Sequence, residues 1–338
     1  MRNSFKRMVT FILWAVLVAT GFAVFAEDVN EPLKAMLCKQ VGDGCQIRET
    51  SHWLIAHHAD PKWVDATAKM LERTHDLFFE QFKKAGFEPQ PLGQKLVCVL
   101  LGKQEQFVQY LERVRDSVGQ SPPAEPPVAE PGKAKPRAGL GSYSERTNRI
   151  QMCDIRAMLP QPNRTRDTAR LELENVARTA HEAAHQLSFN TGILQQHVGY
   201  PMWLGEGLAA NFEFSDAEKP FGPLTGNLSP RAARLKQLCA DGKVVPLKQM
   251  VTMSPYEAHQ PENKGPTYVQ GWGLFRFLFT ERPRQLKQYL AALADRPRGP
   301  VRRSEVLATF EAAFGPIDEL DHGWQQFLKR LCSGESKD

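Results

Sequence analysis

The chain has 338 residues, of which 42% are hydrophobic and 24% charged, a balance typical of globular proteins and unlike that of disordered chains. The formal net charge is +5. Three of these positive charges lie in residues 1–26, which contain no acidic residue, so the remainder carries 40 basic and 38 acidic residues. A nearly neutral protein offers no electrostatic basis for binding nucleic acid, and we expect no such partner.

Residues 1–26 have the pattern of a secretory signal peptide. A basic start precedes an apolar run from Met8 to Ala26, which ends in small residues and is followed by Glu27 and Asp28. We therefore expect a secreted, periplasmic or cell-envelope protein. The alternative is an uncleaved anchor, because 19 mostly apolar residues almost span a bilayer, and only then would we expect contact with a membrane.

The six cysteines all follow this segment, at positions 38, 45, 98, 153, 239 and 332. An even number in an exported chain permits three disulfides. Only Cys38 and Cys45 suggest a pair locally, since they flank a short loop with two glycines. The other four can equally be buried thiols. No Cys-x-x-Cys spacing occurs, which argues against zinc bound by cysteine.

The elements that follow alternate between strand and helix patterns. His52–Ala59 predicts a strand, Pro61–Lys84 a helix, Lys95–Leu101 a strand buried on both faces, and Gln104–Val114 a helix. Residues 118–137 are rich in proline and predict a solvated loop that bulges from the surface. The alternating order is typical of a layered sheet.

A predicted hairpin leads into the most periodic helix of the chain. Its strands are Leu140–Tyr143 and Arg149–Cys153, and the helix runs from about Asp167 to Phe189, with Gly192 just beyond as a cap. A further helix is predicted to open at Pro201, where proline fits a first turn. The chain from about Ser229 is mostly helical, most clearly over Pro266–Glu281 and Arg284–Ala294.

The periodic helix contains the motif His181-Glu182-Ala183-Ala184-His185. Residues four apart on a helix share a face, so both imidazoles can reach one metal ion. Glu182 is rotated by about 100° from His181, beside the metal and outside its ligand set, where it can take a proton from water. The structural alternative is two polar residues on a solvated helix face.

A catalytic zinc ion has a third protein ligand and keeps its fourth position open. Glu206 is the candidate, because it lies in the next predicted helix among small and apolar residues, where a buried carboxylate needs a partner. The small residues around it, including Gly205 and Gly207, would let this helix approach the periodic one. Glu213 follows on the same face, and we expect it to support the ligands or the fold.

These motifs together resemble those of the gluzincin metallopeptidases, in which HExxH is followed by WLxEGxA. The sequence is most similar to the bacterial family known as domain of unknown function 1570, akin to the peptidase-MA-like group. The matching stretches are 181–192, 203–213 and 268–278. The metzincin pattern of zinc peptidases does not match this sequence, because it needs glycine and histidine where this chain has Ser188 and Thr191.

The resemblance implies an α+β zincin fold, similar to that of thermolysin. After an N-terminal extension (27–49), residues 50–192 would form a lobe with a small mixed sheet and the HExxH helix. Residues 193–338 would form a helical lobe, and the active-site cleft would lie between the two. The resemblance also implies one zinc ion held by His181, His185 and Glu206.

The implied activity is hydrolysis of peptide or protein substrates, with Glu182 as catalytic base. Gluzincins often use a tyrosine or histidine of the C-terminal lobe to stabilise the oxyanion. Tyr268 is the candidate, with His259 and Tyr256 as rivals and core packing as its structural alternative. We expect the peptide to pair with an edge strand near 139–143. No Gly-x-Met-Glu-Asn box for a substrate amine is present, so an endopeptidase is favoured.

A second hypothesis from another class is a catalytically silent zincin-like scaffold that serves as a binding protein of the cell envelope. Glu182 separates the two hypotheses, because a scaffold that only binds has no need of a catalytic base.

Overall fold

The computed structural model describes residues 30–117, 141–158, 168–213, 230–296 and 301–333. The fold is of mixed α+β class, with helices packed on one small mixed sheet, as predicted. Its elements are α1 (30–41), β1 (Gln46–Glu49), β2 (Trp53–His58), α2 (Pro61–Lys84), β3 (Leu96–Leu101), α3 (Gln104–Ser117), β4 (Gly141–Ser144), β5 (Arg149–Cys153), α4 (Thr168–Asn190), α5 (Met202–Ala210), α6 (Pro230–Ala240), α7 (Leu247–Thr252), α8 (Pro255–Ala258), α9 (Pro261–Glu281), α10 (Pro283–Ala294), α11 (Arg303–Phe314) and α12 (Ile317–Ser333).

The five strands are ordered β1-β2-β3-β5-β4. The central pairs β2–β3 and β3–β5 are parallel, whereas β1 and β4 are antiparallel edge strands. All six residues of β3 are buried, as its continuous apolar sequence predicts, because helices cover both faces of the sheet. Alternate residues enter two apolar clusters, one shared with α2 and α4 and the other with α1 and α3.

The strand β4 closes one edge of the sheet beside α4, the helix that carries the HExxH motif. It pairs with β5 in a hairpin whose turn includes Asn148 at φ 51°. The Asn148 side chain bonds to Asn190 at the end of α4. The predicted hairpin is therefore confirmed, and its outer strand lies next to the HExxH motif.

The helix α5 makes its closest approach to α9 and not to α4. A Cβ atom added to Gly207 would lie 2.3 Å from the carbonyl oxygen of Gly271, whereas nothing lies within 4 Å of one added to Gly205. Gly207 is therefore the glycine that a close helix contact requires. The sequence-based explanation of the small residues, as spacers toward the HExxH helix, is wrong for Gly207.

Helix boundaries depart from prediction mainly in α9, which begins at Pro261 and contains Pro266 within it. Pro261 occupies the first helical position, where the missing N–H costs little, whereas Pro266 is the sixth residue of α9 and removes one intrahelical hydrogen bond. The helix α1 and strand β1 lie in the segment expected to be an extension, and β1 joins the sheet. The expected signal segment and proline-rich loop lie outside the described residues.

Among the residues with described structure, no helix has the length and apolar character that a membrane span requires. The predicted Cys38–Cys45 disulfide is confirmed, with Cα atoms 5.2 Å apart. Cys98 and Cys153 are buried as free thiols in the two different apolar clusters, on opposite faces of the sheet. They therefore cannot bond to each other.

Candidate metal centre

The three predicted ligands converge in space from two neighbouring helices. His181 and His185 project from one face of α4, with their Nε2 atoms 3.1 Å apart. Glu206 on α5 places Oε2 3.3 Å from Nε2 of His181 and Oε1 3.7 Å from Nε2 of His185. One ligand atom from each residue lies within 4.8 Å of the other two, a spacing that one ion can bridge.

Two local features of the sequence produce this geometry, one in α4 and one at the start of α5. The apolar residues of α4 fix its rotation, burying Ala180, Ala184 and Leu187 while the histidines face the cleft. After the connection from 191 to 200, Pro201 is the N-cap of α5. All residues of this helix are buried except Gly205 and Glu206, and Glu206 is half-buried toward α4.

Opposite charges attract the three side chains to one another. Burial lowers the pKa of His181, but the carboxylates of Glu206 and Glu213 outweigh it and raise the pKa to about 10. Burial raises the pKa of Glu206, but hydrogen bonds from His181 and His185 outweigh it, and the net shift is strongly downward. A cation bound between these groups would replace the proton that His181 holds.

Glu213 lies behind the candidate ligands. Its Oε1 is 2.7 Å from Nδ1 of His181 and 2.7 Å from Nη2 of Arg231, and its Oε2 accepts a hydrogen bond of 2.8 Å from Nε of Arg231. A carboxylate this close to Nδ1 favours the ring orientation in which Nε2 faces the other candidate ligands. This position agrees with the supporting role expected for Glu213.

Glu182 is buried beside this cluster, and the sheet edge fixes one of its oxygens. The backbone N–H of Tyr143 in β4 donates a hydrogen bond of 2.6 Å to Oε2 of Glu182. The helix and the edge strand are thus joined through the residue predicted to act as base. Such a charge-assisted bond limits the rotamers that the carboxylate can adopt.

A cavity of about 650 Å³ opens onto the cluster. It is bounded by the edge strand on one side and by α4 and α5 on the other, and its polar lining includes Tyr143, Glu145, Glu174, Arg178, His181, Glu182, His185, Glu206, Glu213, Arg231 and Tyr268. Such a concave site, with a few convergent polar groups, has the form of ligand sites in general.

Tyr268 lines this cavity, whereas its two rivals do not. Burial and the charge of Glu206 raise the pKa of Tyr268 to about 12, so its hydroxyl keeps its proton at neutral pH. Tyr256 is 77% exposed. The His259 ring contacts that of Tyr268 at 6.4 Å between centroids, outside the cavity lining.

Four charged residues of the lining were not predicted from the sequence. Glu174 and Arg178 lie seven and three positions before His181, so extending the histidine face of α4 toward its start would have found them. Glu145 follows β4, and Arg231 opens α6. Neither stands at a spacing that links it to the motif, and only the folded chain brings them to the cavity.

The chain is thus a mixed α+β protein with a His-His-Glu cluster at the edge of its sheet. Residues 175–301, from within α4 to beyond α10, match the family model described as "Protein of unknown function (DUF1570)". This match confirms the resemblance of the motifs to domain of unknown function 1570. The matched residues include His181, His185 and Glu206. No curated protein matches the chain.

Proposed function

We propose that the protein is a zinc-dependent peptidase of the gluzincin type that acts outside the cytoplasm. One observation carries the proposal: the ligand atoms of His181, His185 and Glu206 converge within 4.8 Å, with the buried carboxylate of Glu182 beside them. The zincin fold is part of the proposal, supported by an edge strand that lies alongside the HExxH helix. The expected location rests on residues 1–26 alone.

The donor set fits zinc better than other common ions. Two imidazole nitrogens and one carboxylate are a known ligand set for catalytic zinc, whereas calcium and magnesium prefer oxygen atoms alone. Three protein ligands leave one coordination position open, which a purely structural site does not do. A zinc ion held here would polarise the scissile carbonyl and lower the pKa of a water molecule.

Glu182 supplies the proton transfers of the proposed reaction. Its carboxylate takes a proton from the attacking water and later delivers it to the leaving amine. The hydrogen bond from Tyr143 uses one lone pair of Oε2, which favours Oε1 as the oxygen for this exchange. The fixed carboxylate favours catalysis, because little reorganisation is needed when the proton moves.

The peptide is proposed to bind as an additional strand on β4. Edge strands present unpaired backbone groups, and extended peptides pair with them. Because the N–H of Tyr143 already bonds to Glu182, the peptide would pair with the other outward-facing backbone groups of β4. The hydroxyl of Tyr268 would donate a hydrogen bond to the oxyanion that develops on the carbonyl oxygen. The sequence has no Gly-x-Met-Glu-Asn box for a substrate amine, and on this ground the proposal is an endopeptidase.

The test combines metal content with digestion of an unfolded protein substrate. We expect the wild type to contain one zinc per chain and to cleave the substrate, His185→Ala to lose most of the zinc, and Glu182→Gln to keep zinc but lose cleavage. Glu172→Gln, an exposed change on the same helix, is the matched control and should behave as wild type. Cleavage by Glu182→Gln at the wild-type rate would exclude the proposed mechanism.

A zinc-loaded wild type that cleaves no peptide would instead favour the silent scaffold of the cell envelope. Absence of zinc from the wild type, even after incubation with the metal, would exclude both the zinc peptidase and a silent scaffold that binds zinc.

A further inference from the structure

A second cavity, of about 580 Å³, lies on the face of the sheet opposite α4. It is enclosed by α1, the end of α3 and the turn between β4 and β5, and four of its lining side chains are cationic: Lys39, Arg113, Arg146 and Arg149. We call it the cation cavity. It is separate from the metal centre, although the same turn contributes Glu145 to one cavity and Arg146 to the other.

Gln40 holds two of these arginines in place. The Gln40 side chain is buried, and its Oε1 accepts a hydrogen bond of 2.6 Å from Nη1 of Arg149. Its own amide donates to the hydroxyl of Ser117 at 3.1 Å, and its backbone carbonyl accepts Nη1 of Arg113 at 3.1 Å. Both guanidinium groups are therefore preorganised at one cavity by a neutral network.

Arg149 is the unusual member, because a buried guanidinium is normally paired with a carboxylate. It is only 8% exposed, and its described side-chain partners are neutral: the Gln40 amide, the buried Tyr110 and, at 4.0 Å, the sulfur of Met36. Asp116 is the single acidic residue among the described lining residues, and it lies 3.9 Å from Nε of a different residue, Arg115. The positive charge of the cavity is thus not balanced by the described residues that line it.

We propose that the cation cavity binds a phosphate group, either the free ion or a phosphate monoester. A doubly charged oxyanion matches several converging cations, and the planar guanidinium forms paired hydrogen bonds to phosphate oxygens. The fixed position of Arg113 and Arg149 reduces the entropy lost on binding. The inference does not depend on the proposed peptidase activity.

The test is calorimetric titration of the full chain with inorganic phosphate at constant ionic strength. We expect saturable binding of one ion per chain, weakened about tenfold or more by Arg113→Gln, because a charged hydrogen-bond donor is lost. Arg146→Gln, at another exposed position, should weaken it less. Arg284→Gln on α10 is the control for total charge and should bind as wild type.

Circular dichroism of each variant would establish that it folds. Arg113 and Arg146 are exposed, so we expect both glutamine variants to fold as wild type. Absence of saturable binding by the wild type, or equal affinity in folded Arg113→Gln, would overturn the proposal.

Three further titrations distinguish the source of the phosphate. Glycerol phosphate binding more tightly than the free ion would identify a monoester, and equal or weaker binding would identify the free ion. Acetate competing as well as phosphate would overturn the assignment to phosphate. Binding to vesicles of anionic phospholipid without any response to soluble phosphates would also overturn it.

Discussion

Glu213 Oε1 lies 2.7 Å from Nδ1 of His181, so a candidate ligand is oriented by a carboxylate from beyond the end of α5. We predict that Glu213→Gln lowers zinc affinity about ten- to a hundredfold, because partners of ligating histidines contribute by this amount. Competition with a chromogenic chelator would measure the change. Arg231→Gln keeps the carboxylate and should have a smaller effect. Unchanged affinity in Glu213→Gln would show that the contact does not support the metal.

Tyr268→Phe removes one hydroxyl from the metal-site cavity. If this hydroxyl stabilises the oxyanion, kcat should fall about a hundredfold, the range found for loss of one such donor, while zinc content and KM stay near wild type. The measurement is steady-state kinetics on a fluorogenic peptide. Tyr256→Phe, at a 77% exposed position, is the control. A wild-type kcat in Tyr268→Phe would indicate that this residue only packs.

Gly207→Ala should destabilise the protein by about 2 kcal/mol, because the new Cβ would lie 2.3 Å from a carbonyl oxygen of α9 and the helices must separate. Chemical denaturation would measure the loss. Gly205→Ala is a close control two residues away in the same helix, where nothing lies within 4 Å of the added carbon. It should be neutral or stabilising by up to about 1 kcal/mol. Equal stability of the two variants would contradict the contact.

Asp154 provides a pH-dependent contribution to stability. Burial raises its pKa, but hydrogen bonds from Arg156 and Asn175 outweigh this and lower it below the usual value near 3.9. The stabilisation is therefore present above about pH 4 and is lost as the pH falls through the lower folded pKa.

We accordingly predict that Asp154→Asn lowers the free energy of unfolding by about 2 kcal/mol at pH 7 and that the difference shrinks in acid. Urea denaturation at a series of pH values would measure it. Asp43→Asn, at an exposed site, should leave the profile unchanged. A deficit that stays constant down to pH 2 would rule out the titration of Asp154 as its cause.

Local periodicity was sufficient to predict the elements around the site. The predicted α2 has the observed bounds, Pro61–Lys84, and α4 differs from its prediction by about one residue at each end. Once α4 is a helix, the shared face of His181 and His185 follows from helix geometry alone. The positive φ of Gly192, 75°, also agrees with its predicted place after the helix.

The rest of the site depends on contacts between elements distant in sequence. The approach of Arg231 to Glu213 and the hydrogen bond from Tyr143 to Glu182 have no periodic signature. Glycine-rich α5 was expected to face α4, because sequence alone could not show that α9 returns to pack against it. The strand β1 has only four residues and one partner strand, and so short a segment shows no periodicity from which a strand can be predicted.

The hydrogen bond from Tyr143 to Glu182 comes from the main chain, and this has a consequence for mutational scanning. Replacing the side chain at position 143 with that of alanine, or of almost any other amino acid, retains the amide that anchors the carboxylate. Proline, which lacks an N–H, is the one standard residue that would remove it. An alanine substitution at position 143 would therefore leave this link between strand and helix intact, and only the substitution at Glu182 would remove it.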